Sequence, residues 1–187
     1  MAYVVVYDAC VLYPNTLRDL LIRVAQPGLV QAKWTHQILD EVDRALVRNL
    51  NVPADKIAAL RSRMNDAVRD CIVTGYEPLV EALRLPDPDD RHVLAAAIKA
   101  GAQGIITSNL RDFPTKDLAV FGIEAKSADE YVMDLIGLDD RIVYSCAQAI
   151  ATSRRQPPAT LDDVFGQLER SGLIESVTAL RSRPSPG

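Results

Sequence analysis

The sequence predicts a three-layer α/β fold with a central, mainly parallel sheet, followed by a helical C-terminal extension. Two observations predict this organisation. Short apolar runs rich in β-branched residues alternate along the chain with segments whose apolar residues recur at helical spacing. Past Gly137 the strand-like runs stop and only helical patterns follow. We therefore expect an α/β domain over residues 1–137 and a helical extension with a frayed tail over residues 138–187.

The composition is that of an ordinary globular protein, with 187 residues, 48% hydrophobic residues and a net charge of -4. No apolar run approaches the ~20 residues of a membrane span, and the amino end has no basic segment typical of a secretory signal. Cys10, Cys71 and Cys146 lie far apart, which disfavours a disulfide framework or a zinc site. We expect a cytoplasmic protein with no membrane partner. The net acidity disfavours a protein that coats nucleic acid, but it is compatible with a nuclease that binds metal.

The first half of the chain predicts strands and helices in alternation. The valine-rich run 3–7 is typical of a strand buried on both faces, and Asp8 follows it directly. Thr35 is suited to cap a helix whose apolar stripe includes Ile38, Leu39 and Val42. The other predicted elements are a turn or short helical entry at 9–15, a helix at 16–25, a strand at 29–34, a helix at about 54–70 and a strand at 71–73.

The middle of the chain has the clearest helix boundaries. Asp87 is a natural N-cap with Pro88 at the first helical position, and Gly101 is suited to end that helix. Ser127 and Glu130 have the spacing of a capping box, which predicts the start of another helix. The segments that complete this region are a strand at 103–107, a polar loop at 108–114, a strand at 123–126 and a helix at 127–136.

The C-terminal extension predicts helices alone. We expect a helix at 139–153, a linker at 154–158, and two helices within 160–181 that are separated at Gly172. An apolar helical face there is suited to pack on the α/β domain or to receive a helix of a partner, and the first is favoured. It consists of Leu161, Val164, Phe165, Leu168 and Leu173.

Several acidic residues adjoin the ends of these elements, at positions expected to lie at one edge of the sheet. In an open parallel sheet, ligands bind at the carboxyl ends of the strands. Asp8 follows the first strand, and the segment 108–112 follows a later one. The segment 87–90 begins a helix that runs antiparallel to the strands, so it faces the same edge. Three separate segments therefore bring acids to one edge, and Glu41 borders the apolar stripe of its helix.

Each acid also has an ordinary structural explanation. The acids of 87–90 suit the first turn of a helix, Asp112 can cap a turn, and Glu41 can be part of an amphipathic surface. Asp8 is harder to explain, because an acid directly after a buried strand needs compensation. Taken together, converging carboxylates repel one another, and a divalent cation relieves that repulsion. Oxygen ligands without a His or Cys cluster suit Mg²⁺ or Mn²⁺, and His36 and His92 are expected to have packing or surface roles.

Four stretches in this order resemble PIN-domain ribonucleases, a FEN-like fold found in many VapC-type toxins of type II toxin–antitoxin pairs. They are Val-Val-Val-Tyr-Asp around Asp8, Gln-Ile-Leu-Asp-Glu-Val around Glu41, Pro-Asp-Pro-Asp-Asp-Arg-His from Pro86, and Ile-Ile-Thr-Ser-Asn-Leu-Arg-Asp from Ile105. The resemblance covers about residues 3–136. Each stretch is weak alone, and the four in sequence are specific.

The resemblance implies a catalytic, metal-binding quartet of Asp8, Glu41, Asp90 and Asp112 that holds Mg²⁺ or Mn²⁺. Asp87 and Asp89 compete with Asp90 for the third position. The amide oxygen of Asn109 competes with Asp112 for the fourth. Thr107 or Ser108 is expected to orient the attacking water. The cations expected to contact the RNA backbone are Arg18, Arg44, Arg91 and Arg111, with Arg23 and Arg48 as further candidates.

The function that the resemblance implies is metal-assisted hydrolysis of RNA to 5′-phosphate and 3′-hydroxyl ends, with a cognate antitoxin as partner and with dimerisation common in the family. A phosphatase of the haloacid-dehalogenase type is set aside, because it needs a second Asp two positions after the first and this chain has Cys10 there. The alternative is a catalytically silent PIN-fold module that binds nucleic acid or protein.

Overall fold

A computed structural model of the protein describes residues 3–183. Its centre is a four-stranded sheet in which every strand is parallel to its neighbours, in the order β2-β1-β3-β4. The strands are β1 (Tyr3–Tyr7), β2 (Val30–Lys33), β3 (Gly104–Ile106) and β4 (Glu124–Lys126). The predicted α/β class is confirmed, and the sheet is parallel throughout the described residues rather than mainly so.

Strand β1 forms the middle of the core. Val5, Val6 and Tyr7 are fully buried. Because successive side chains of a strand point to opposite faces, burial of all three means that both faces of the sheet are covered. The helices around the sheet therefore make the three layers that the sequence predicts.

The helices connect the strands and continue beyond them. They are α1 (Ala9–Leu12), α2 (Asn15–Ala25), α3 (His36–Leu50), α4 (Ala54–Ala67), α5 (Glu77–Val80), α6 (Arg91–Ala100), α7 (Thr115–Leu118), α8 (Ala128–Ser153), α9 (Leu161–Arg170) and α10 (Ile174–Arg181). The predicted caps are present, since Thr35 accepts a hydrogen bond from the Ile38 amide and Ser127 forms a capping box with Glu130. None of the helices within residues 3–183 is long and apolar enough to cross a membrane.

Several element boundaries differ from the prediction. The strand expected at 71–73 is wrong, because only a single bridge joins Ile72 to Trp34 before the chain turns at Gly75. The helix expected from Pro88 begins as a 3₁₀ turn at Pro88–Asp90 and becomes α-helical at Arg91. The short helices α5 and α7 carry no clear periodicity and were not predicted.

The junction near residue 137 is continuous. Helix α8 runs from the predicted capping box to Ser153, well past the expected end at 136. Its backbone is interrupted at Asp139, where φ is -158° and ψ is 99°. The Asp139 carboxylate accepts a hydrogen bond from the Arg141 amide at 3.0 Å, so a local cap explains the bend. The domain boundary at 137 stays a prediction, and the predicted frayed tail lies, apart from Arg183, outside the described residues.

The C-terminal helices pack within the chain. Val164, Phe165 and Leu168 are buried where α9 meets α2 and α8. The Arg154 guanidinium donates to Thr16 at 2.8 Å and to Gln167, which ties the linker to α2. Of the two roles that the sequence left open for this apolar face, packing inside the molecule is the one observed.

Candidate active site

Asp8 lies at the point where the strand order changes direction. The chain passes from β1 to β2 on one side and later returns to β3 on the other, which makes the carboxyl ends of β1 and β3 a switch point. The Asp8 amide donates to the Ile106 carbonyl at 3.0 Å, so the residue is fixed at this edge. It is also the N-cap of α1, with Oδ1 accepting from the Ala9 amide at 2.7 Å.

The Asp8 carboxylate is buried among neutral groups. It is 4% exposed, and its Oδ2 accepts hydrogen bonds from the Thr107 hydroxyl at 2.7 Å and the Cys10 thiol at 3.2 Å. Burial and the charge of Asp8 raise the pKa of Cys10 to about 11, so the thiol stays protonated and remains a donor. Buried carboxylates are costly without a cationic partner, and the described residues give Asp8 none.

Asp90 shows that several carboxylates converge here. Its pKa is raised from 3.8 to about 6, first by burial. The second cause is the negative charge of three neighbouring carboxylates, those of Asp8, Asp87 and Asp112, which His92 partly offsets. The acids at the ends of β1, at the start of α6 and after β3 therefore act on one region of space.

The loop after β3 is held against the same edge through its backbone. The Ser108 amide donates to the Cys10 sulfur at 3.2 Å, and the Asn109 amide donates to the Thr107 hydroxyl at 3.1 Å. Asp112 is half-buried and its charge reaches Asp90, whereas the Asn109 side chain is exposed. Thr107 is fully buried with its hydroxyl on Asp8, which does not suit the predicted role of orienting a water; Ser108 is exposed.

Glu41, on α3, contacts the helix that follows Asp90 and has a partner that the sequence did not predict. Its Oε1 lies 2.8 Å from Nε2 of His92, on α6. His92 is buried, which agrees with the predicted packing role. Its polar contact, however, is with a candidate site residue. Nothing in the spacing of positions 41 and 92 signals this pair, since only the folded chain brings α3 and α6 together.

The donor set suits a hard divalent cation, although the side chains do not form a closed ligand cage. Within residues 3–183 no three His, Cys, Asp or Glu side chains are close enough to hold an ion as they stand. The available donors are carboxylate oxygens, and the raised pKa of Asp90 reflects burial first and then the negative charge of its neighbours. Oxygen donors with surplus negative charge match the preferences of Mg²⁺ and Mn²⁺.

The arginines predicted to contact RNA differ in their availability. Arg18 is buried, and its guanidinium donates to the carbonyls of Leu12 and Tyr13 and to the Asn15 side chain. That prediction is therefore corrected, because the donors of Arg18 serve the α1–α2 turn rather than a ligand. Arg23 is paired with Asp19 at 2.7 Å.

The remaining candidate arginines lie around the acidic edge. Arg44 and Arg48 are exposed and line a groove of about 620 Å³ that Glu41 also lines. Arg111 is exposed in the loop before Asp112, and Arg91 donates from Nε to the Pro88 carbonyl at 2.9 Å. Across the described part of the chain, these four arginines form no ion pair.

Comparison with known proteins gives two family matches. Residues 4–111 match the PIN domain, a stretch that includes Asp8, Glu41 and Asp90 and ends just before Asp112. Residues 128–182 match the VapC50 C-terminal domain, starting at the first residue of α8.

A relative and the solved structures complete the comparison. A protein of Mycobacterium tuberculosis (strain H37Rv) named "Putative ribonuclease VapC50" is 33% identical over 96 residues. That alignment covers 50% of this chain and 56% of the relative, so the chain spans little more than half of the relative's length. No solved structure matches the chain.

Proposed function

The chain belongs to the PIN-domain family, and on that premise we propose that it is a metal-dependent endoribonuclease, the toxin of a toxin–antitoxin pair. One observation carries the proposal. Burial and, after it, the negative charges of Asp8, Asp87 and Asp112 raise the pKa of Asp90 to about 6 at the carboxyl edge of the sheet. An edge with this surplus of negative charge favours a divalent cation and, through it, a phosphodiester.

Asp8 and Asp90 are the principal residues that would hold Mg²⁺ or Mn²⁺, with Glu41 and Asp112 as further ligands. Asp112 is preferred to Asn109 because its charge reaches Asp90. Asp87 is exposed at the N-cap of the 3₁₀ turn, and we give it an accessory role. The ion, when bound, lowers the pKa of a water and neutralises charge on the phosphate.

The surrounding residues prepare this edge for the substrate. The Thr107 hydroxyl and the Cys10 thiol hold Asp8 in one orientation, which reduces the ordering needed when a ligand binds. Arg44, Arg48 and Arg111 supply unpaired positive charge for the phosphates on either side of the scissile bond. Single-stranded or looped RNA fits best, because its backbone can enter an open groove.

The partners in this proposal are RNA, a cognate antitoxin and, in a homodimer, a second copy of the chain. The name of the mycobacterial relative supports a ribonuclease of the VapC type. Such partners meet the enzyme in the cytoplasm, and the free thiols of Cys10, Cys71 and Cys146 agree with a reducing compartment.

The test is hydrolysis of a mixed single-stranded RNA by the purified chain with Mn²⁺, with Mg²⁺ and with EDTA. We expect cleavage with either ion, none with EDTA, and products that carry 5′-phosphate and 3′-hydroxyl ends. Cleavage that persists in EDTA and leaves 2′,3′-cyclic phosphates would contradict a metal-assisted mechanism.

One observation favours a catalytically silent binding module instead. The acids between residues 3 and 183 do not form a preformed set of three ligands. The same assay separates the two functions, because a silent module would retain RNA in a filter-binding measurement and leave it intact with every ion.

A further inference from the structure

His92 connects the two helices that contribute acids to the site. It lies on α6, two positions after Asp90, and is 3% exposed. Its Nε2 lies 2.8 Å from Oε1 of Glu41, on α3. Glu41 itself is one-third exposed, so its side chain would otherwise be free to turn into solvent.

The two ring nitrogens of His92 differ in their polar partners. Among residues 3–183, its Nδ1 is the one buried side-chain nitrogen or oxygen without a partner. Nε2, which lies against Glu41, is therefore the ring nitrogen that has a polar contact among the described residues.

Packing alone does not account for a histidine at this position. Its neighbours Val93 and Leu94 are fully buried and apolar. An apolar side chain of similar size would fill the same space without leaving an unsatisfied polar atom, which carries a free-energy cost. A favourable contact of the other ring nitrogen can offset this cost, and Nε2 has such a contact with Glu41.

We propose that His92 is a positioning residue that holds Glu41 toward Asp8 and Asp90, so that α3 and α6 present their acids to one divalent cation. The inference rests on the proposed function and extends it to a residue that does not touch the ion. Groups that orient a ligand typically change metal affinity or activity by about 10–100-fold when they are removed.

The test measures Mn²⁺ affinity by isothermal titration calorimetry, without RNA, for the full chain and matched variants. His92→Met keeps the volume and removes the donor, and His92→Gln keeps a donor close to the position of Nε2. We expect about 10-fold weaker Mn²⁺ binding for His92→Met and a change within about 3-fold for His92→Gln. Circular dichroism and the melting temperature establish that both variants fold.

A double-mutant cycle with Glu41→Gln sharpens the result. Once Glu41 has lost its charge, we expect His92→Met to weaken Mn²⁺ binding no further. Native affinity in His92→Met, equal losses in His92→Met and His92→Gln, or additive effects in the cycle would each overturn the inference. If the native chain cleaves no RNA but the cycle holds, the nuclease proposal fails and the positioning role stands. A native chain that binds no Mn²⁺ overturns both.

Discussion

The carboxyl edge of the sheet and the C-terminal helices handle charge in opposite ways. At the edge, Asp8, Asp90 and Asp112 face one region, and the described residues provide no arginine or lysine partner for them. In the C-terminal helices, several charges are matched in pairs. Arg181 contacts Asp162 and Glu169, and Arg183 lies 3.0 Å from Asp140.

The helices α8, α9 and α10 add further internal contacts. Partial burial alone would raise the pKa of Asp129 of α8, but its carboxylate accepts from the Ser176 hydroxyl and, at 2.9 Å each, from the amides of Ser176 and Glu175, and these hydrogen bonds lower the pKa. Arg181 also lies over the Phe165 ring at 5.2 Å. The comparison indicates that the C-terminal helices stabilise the fold, whereas the carboxylates of the edge repel one another.

The largest expected difference between the two regions is in activity. Asp8→Asn removes a ligand charge but keeps the shape of the side chain, so we expect RNA cleavage with Mn²⁺ to fall at least about 1,000-fold, or ~4 kcal/mol in the barrier. The matched control is Asp162→Asn, an exposed acid of α9. Equal initial cleavage rates for Asp8→Asn and the native chain would remove Asp8 from the site.

The second difference is in stability and lies in the C-terminal helices. Leu168 is fully buried between α9, α2 and α8, so Leu168→Ala should lower the free energy of unfolding by about 3 kcal/mol. Leu138 is largely exposed, and Leu138→Ala should change the free energy of unfolding by less than about 0.5 kcal/mol. Urea denaturation measures both. Cleavage per folded molecule should be native for Leu168→Ala, and a selective loss of activity would give this region a direct catalytic role.

The third difference concerns RNA affinity. Arg44→Ala with Arg48→Ala should weaken binding about 10-fold and reduce the slope of log affinity against log salt by about 1.4, since each phosphate contact contributes about 0.7 for single strands. Arg155→Ala with Arg170→Ala removes the same charge from the C-terminal region. Fluorescence anisotropy over a salt series checks this, and equal losses in the two double variants would mean that only net charge matters.

The smallest expected effect concerns Asp90, whose ionised carboxylate should lower the stability of the protein, whereas Leu168 raises it. Because folding raises the pKa of Asp90 from 3.8 to about 6, its contribution to stability is complete below pH ~4 and is lost as the pH rises through 6. That rise corresponds to ~3 kcal/mol before solvent screening, and about 1 kcal/mol is expected for a partly exposed carboxyl.

Asp90→Asn should therefore make the metal-free protein more stable at pH 7 by about 1 kcal/mol, and the gain should shrink toward pH 4. Thermal unfolding in EDTA at both pH values measures it. A variant that is less stable at pH 7 would show that the acids of this edge do not repel one another.

The elements that sequence reasoning identified were those with local signals. Thr35 and Ser127 act as the predicted caps, and Gly101 and Gly172 have the positive φ expected where helices end. The strand expected at 71–73 failed because an apolar run pairs only where a neighbouring strand is available, and there the pairing is limited to one bridge.

Among the candidate site residues, too, the predictions depended on local signals. Asp8, Asp90 and Asp112 were predicted because each adjoins the end of a strand or the start of a helix, which is a local property. Arg18 was predicted to contact RNA and instead serves a turn, because an arginine has the same sequence signal whether its donors meet carbonyls or solvent.

Local patterns were enough to predict most strands and helices in order, the helix caps and the residues that adjoin the carboxyl ends of the strands, because these depend on neighbours along the chain. The folded chain alone shows which charges share one space, that His92 lies 2.8 Å from Glu41, and that α9 packs against α2. Those outcomes depend on distances between segments as far apart as positions 41 and 92, and such distances are set by packing of the whole core rather than by any local pattern.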